Sequence, residues 1–129
     1  MTITAWRAVF ICYLLVLGFL SLNPWFRPAS NVDFLSPDKV DHALAYSGLA
    51  ILVFLSINRP CIEYKRAASG KWMVAILIAV TVGILLEAAQ SLFTELRNGS
   101  VADASANTVG AIFGCVAYRS ARYIRVKLQ

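Results

Sequence analysis

The sequence predicts an all-α membrane protein of four transmembrane helices with both termini in the cytoplasm, and three observations predict it. Hydrophobic residues make up 59% of the 129 and charged residues only 15%, with a mean hydropathy of +0.67, a balance found in chains whose solvent is lipid. The apolar residues fall into runs close to the roughly 20 helical residues that cross a hydrocarbon core of about 30 Å. The basic residues favour alternate connecting segments, as the positive-inside rule requires of an even number of crossings.

The first run, Ala8 to Leu22, follows Arg7 and is closed by Asn23-Pro24-Trp25-Phe26-Arg27-Pro28, a helix-ending and interfacial sequence. A helix over about 7–23 is expected. A basic residue before an apolar core also suits a cleaved signal, but no small-x-small site follows, so the helix is expected to be retained. Ser36-Pro37-Asp38-Lys39 then offers a cap with proline at the first helical position, and the apolar run Val40 to Ile57 predicts a second helix over 40–57. Asn58 to Lys71 is polar, and Trp72 to Leu92 gives the longest span, a third helix over 72–92.

Arg97-Asn98-Gly99 reads as a loop, and Ser100-Val101-Ala102-Asp103 has the capping-box pattern that opens a fourth helix, expected over 103–120. Asn107 and several small residues dilute its apolar character, so charge parity carries much of its assignment. Nine of the twelve Lys and Arg residues (Arg7, Arg59, Lys65, Arg66, Lys71, Arg119, Arg122, Arg125 and Lys127) fall on one side, and Arg27, Lys39 and Arg97 fall on the other. Both termini are therefore expected inside a bacterial cytoplasmic membrane, with residues 1–129 forming a single domain.

The net charge of +5 comes from short clusters beside apolar runs, which is topology and not a nucleic-acid footprint; no nucleic-acid partner is expected. Cys12, Cys61 and Cys115 lack metal spacing and even pairing, and read as buried thiols.

On this topology the polar side chains gather at the outer ends of helices two to four. Lys39, His42 and Tyr46 are spaced three and four apart, Glu87 and Gln90 three apart, and Asp103 and Asn107 four apart, so each set shares a helix face. Glu87 interrupts an apolar run about five residues, roughly 7 Å, from the end of its helix; a carboxylate at that depth must face the protein and a partner. His42, Lys39 or Arg97 could be that partner. Glu87 and His42 are the candidate acid–base pair, with Lys39, Tyr46, Gln90, Arg97, Asp103 and Asn107 as candidate ligand-binding residues. Several also have a structural explanation: a buried ion pair for Glu87, helix packing for His42 and Asn107, capping for Asp103, an interfacial position for Arg97. A metal site from His42, Glu87 and Asp103 is disfavoured, with one histidine and no ligand pair at metal spacing, and no cofactor is expected. Gly110 and Gly114 make a small-xxx-small face, suited to close helix packing within the chain or to a homodimer.

Asp38-Lys39-Val-Asp-His42-Ala-Leu-Ala-Tyr46 with Gly48-Leu49, then Glu87-Ala-Ala-Gln90, then Arg97 followed by Asp103-Ala-Ser-Ala-Asn107 and Gly110 to Gly114, resembles the VanZ-like family of bacterial membrane proteins. The resemblance covers roughly Asp38 to Gly114. It implies a small multi-helix protein of the cell envelope, in a family whose founding member is associated with resistance to the glycopeptide teicoplanin, and it names no reaction. Two functional classes follow as expectations. One is an outward-facing polar site that binds or modifies the headgroup of a lipid or lipid-linked envelope intermediate. The other is a non-catalytic accessory or scaffold acting through helix partners. A proton or ion relay is weaker, because no ionisable residue is placed in the cytoplasmic halves of the expected helices.

Overall fold

In the computed structural model, which describes residues 2–23, 37–57, 68–93 and 100–128, the chain forms four helices: α1 (Ile3–Leu22), α2 (Pro37–Ile57), α3 (Ala68–Phe93) and α4 (Val101–Lys127). No strand occurs among the described residues. Helices α1, α2 and α3 are each long and apolar enough to cross a membrane. Large apolar side chains such as Leu15, Phe19, Met73, Leu77, Leu85 and Phe113 point outward. Three helices of spanning length with an apolar outer surface make this a helical membrane protein.

The helix ends differ from the expected ones for local reasons. α1 starts at Ile3 and not near Arg7, because the Thr2 hydroxyl caps it by accepting from the Ala5 N–H at 3.2 Å. α2 starts at Pro37, whose missing N–H costs nothing in a first turn; the expected cap at Ser36 lies outside the described residues. α4 starts at Val101 behind the Ser100 cap and runs to Lys127, well beyond the expected end at 120, with Arg125 and Lys127 complementing the partial negative charge of its last turn.

α2 is central and packs on the other three helices. α2 and α4 lie side by side and run the same way: Gly110 is pressed on the backbone of Ala43, and one turn further Gly114 on that of Ser47. A Cβ at either glycine would overlap that backbone, so both positions require glycine for the helices to approach this closely. The Ser47 hydroxyl donates to the Gly110 carbonyl at 2.7 Å and ties the contact. α4 is polar in composition, and the face that carries Asn107, Gly110, Ala111, Gly114 and Cys115 is buried in the bundle, while Ala102, Ser105, Ala117, Ser120 and Ala121 are exposed. Its Ser105 and Thr108 hydroxyls bond back to the Val101 and Ala104 carbonyls.

α3 runs opposite to α2 and α4. At the end distant from Glu87, Trp72 stacks on Phe54 with ring centroids 3.5 Å apart, and Tyr118 tilts against both. α1 is attached by side chain-to-carbonyl hydrogen bonds at three depths, two donated by α1 and one by α3. Arg7 Nε donates to Ser56 at 3.3 Å, Tyr13 Oη to Ala45 at 2.8 Å, and Gln90 Nε2 of α3 to Ser21 of α1 at 2.8 Å. Gly48 leaves the space that the Tyr13 hydroxyl enters. Of the cysteines, Cys115 is buried as expected, Cys12 is exposed on the outer face of α1, and Cys61 lies outside the described residues.

Candidate functional site

Three of the four helices bring polar side chains to one place beside the first turns of α2 and α4. Glu87 projects from α3 and is 8% exposed. Its Oε2 accepts the Ser100 N–H at 3.2 Å, at the N-terminus of α4, where the helix dipole favours a carboxylate. Its Oε1 accepts from Asn107 Nδ2 at 3.5 Å, and Asn107 Oδ1 lies 3.0 Å from His42 Nδ1. The amide orientation follows from its neighbours: the carboxylate needs a donor, so the NH2 faces Glu87 and the carbonyl faces the ring. His42 therefore carries its proton on Nδ1, with Nε2 directed away from Glu87. The direct His42 Nδ1 to Glu87 Oε1 separation is 3.9 Å; Asn107 is the bridge.

On the other side of the ring, Asp38 Oδ1 is 3.7 Å from Nε2, one helical turn earlier on α2. Asp103 comes from α4, and a ligand atom from each of Asp38, His42 and Asp103 lies within 4.8 Å of the other two. The capping-box expectation for Asp103 is corrected here. The Ser100 hydroxyl does accept from the Ala102 N–H, at 3.1 Å, but the Ser100 N–H goes to Glu87 instead of to Asp103. α3 supplies the second half of the cap, and the Asp103 carboxylate is released toward α2.

Tyr46, one turn deeper on α2, is 2% exposed and closes the floor of the site. Gly83 makes room for it: a Cβ there would lie 3.0 Å from the Tyr46 ring and 3.2 Å from Asn107. Asn107 is 1% exposed.

The expected set is thus divided. His42, Glu87, Asn107 and Asp103 come together, with Tyr46 beneath them. Lys39 is apart from them and lines a groove between α2 and α4, about 450 Å³ in volume and otherwise bounded mainly by Val40, Ala43, Leu44, Ala106, Val109 and Phe113. Gln90 is turned to α1, holding the Ser21 carbonyl near the helix end. Arg97 lies outside the described residues. Asp38, the Ser100 N–H and Gly83 were not among the expected site residues. Asp38 carried a usable signal, its i, i+4 spacing to His42; the other two depend on how α3 meets α4.

The class these features define is a helical membrane protein with a carboxylate–amide–imidazole chain at one end of its bundle. Compared with protein-family models, curated proteins and solved structures, the chain matches none.

Proposed function

We propose that the chain is a VanZ-like protein of the bacterial cytoplasmic membrane whose outward-facing site binds the headgroup of an anionic lipid or lipid-linked envelope intermediate. The observation that carries this reading is that Lys39 and Ala102, the chain neighbours of Asp38 and Asp103, line the α2–α4 groove. The groove is apolar along its length and has Lys39 among its lining residues, and His42 follows Lys39 by three residues. An acyl chain in the groove brings its headgroup to Lys39, whose ammonium suits a phosphate or carboxylate, beside His42. Glu87, relayed through Asn107, sets the His42 tautomer, an arrangement suited to moving a proton during hydrolysis or group transfer of that headgroup.

Helix α4 serves as a fourth crossing in this reading. Its 27 residues reach about 40 Å at 1.5 Å per residue, it lies along α2, and four crossings with both termini inside agree with the distribution of Lys and Arg. A link to teicoplanin resistance follows from the family resemblance alone. Gly110 and Gly114 are buried against α2 of the same chain, so a homodimer would form through another face.

The test is native mass spectrometry of protein released from micelles containing phosphatidylglycerol and phosphatidylethanolamine. Retention of the anionic lipid is expected, with loss in Lys39→Ala and in Ala106→Trp, which fills the groove. Equal retention in both variants and the parent would defeat the reading. Turnover of labelled envelope lipids, compared among the parent, Glu87→Gln and His42→Ala, then tests His42 as the proton-transfer group and Glu87 as the residue that orients it through Asn107; rates unchanged in both variants would remove those residues from any chemistry.

A further inference from the structure

On the side of His42 that faces away from Glu87, the described residues place the carboxylates of Asp38 and Asp103. Asn107 Oδ1 takes the Nδ1 proton, which leaves Nε2 with its lone pair directed to the side of Asp38, at 3.7 Å. Asp103 completes the group from the opposite helix, all three ligand atoms falling within 4.8 Å. Among the described residues, no hydrogen bond or ion pair holds the Asp103 carboxylate, because Glu87 has taken its place at the Ser100 N–H. Two carboxylates and an imidazole lone pair repel one another unless a cation joins them.

We propose that Asp38, His42 and Asp103 form a divalent metal site, with Zn2+ or Mn2+ as the fitting ions. One imidazole nitrogen with two carboxylate oxygens suits a borderline or moderately hard ion, and three protein ligands leave a position open for water or an anionic oxygen. Bonds of about 2.0–2.2 Å place tetrahedral ligand atoms roughly 3.3 Å apart, so modest rotations of the two aspartates close the site. Asn107 and Glu87 are its outer support: they fix the ring's tautomer and direction, as a hydrogen-bonded partner commonly does for a metal-bound histidine. The open position adjoins the α2–α4 groove, where a metal would face the same anionic group as Lys39. The site is assigned from its own ligands and stands apart from lipid binding at Lys39; a metal on Nε2 would occupy the lone pair that proton transfer by His42 requires, so the metal and the proton-transfer role exclude one another.

The experiment is Zn2+ titration of tag-free, chelator-stripped full-length protein in detergent, followed by equilibrium metal analysis. One Zn2+ per chain is expected. Asp103→Asn should weaken binding at least about tenfold and Asn107→Leu by about 10–100-fold, while Asp41→Asn, an exposed acid on the same helix, should change nothing. Helical circular dichroism of each variant confirms that it is folded. Lys39→Ala should keep the metal and lose the anionic lipid, which separates failure of this site from failure of the lipid reading. Absence of saturable uptake, or equal affinity in folded Asp103→Asn and parent, would overturn the proposal. So would nitrogen NMR showing both ring nitrogens of His42 protonated in excess Zn2+.

Discussion

Asn107 serves two partners with one amide, accepting from His42 and donating to Glu87. Asn107→Leu preserves bulk while stranding both, and the expected loss is about 1–3 kcal/mol for each buried group left without a partner; chemical unfolding in detergent measures it. Glu87→Gln keeps an oxygen for the Ser100 N–H and should cost less than Glu87→Leu, which strands that N–H as well as the amide of Asn107. The sequence could group His42, Glu87, Asp103 and Asn107, because helical spacing and a shared depth are local properties. It could not assign the Ser100 N–H, since the choice between Asp103 and Glu87 as its acceptor depends on where α3 lies. Nor could spacing alone decide between Asp38 and Lys39 as the companion of His42. Adjacent residues differ by about 100° around a helix axis, and which of the two meets the ring depends on how α2 is turned against its neighbours.

At the level of the helices, the contact between α2 and α4 depends on two glycines. Gly110→Leu or Gly114→Leu must drive α2 and α4 apart or distort them, and the expected loss is about 1–3 kcal/mol or more, read as a lowered thermal midpoint in detergent. Gly18→Ala, at a position where an added Cβ meets nothing within 4 Å, should hold or raise that midpoint, since alanine is the better helix former. The small-xxx-small spacing was visible in the sequence, whereas its partner was not: it serves a helix of the same chain. Helix existence was likewise visible in the apolar runs, and helix ends less so. The ends of α1 and α4 are set by the hydroxyls of Thr2 and Ser100 and by a basic tail, features that a hydropathy run does not register.

For the molecule as a whole, composition already announced a lipid solvent, and the outward apolar side chains bear that out. The number of crossings is the finer half of that inference, because small, polar and basic residues interrupt α4, which lacks a long apolar run of its own. Reporter fusions at the two ends test the proposed topology: both are expected to report the cytoplasm, and opposite sides would exclude four crossings. The α2–α4 contact also bears on how the protein is made. The pair that meets backbone to backbone is separated by all of α3, so α2 enters the bilayer before its principal partner has been synthesised. His42 accordingly spends that interval without Asn107, and Glu87 without the Ser100 N–H. The polar site is assembled only when the last quarter of the chain arrives, so no shortened product ending before Ser100 can contain it.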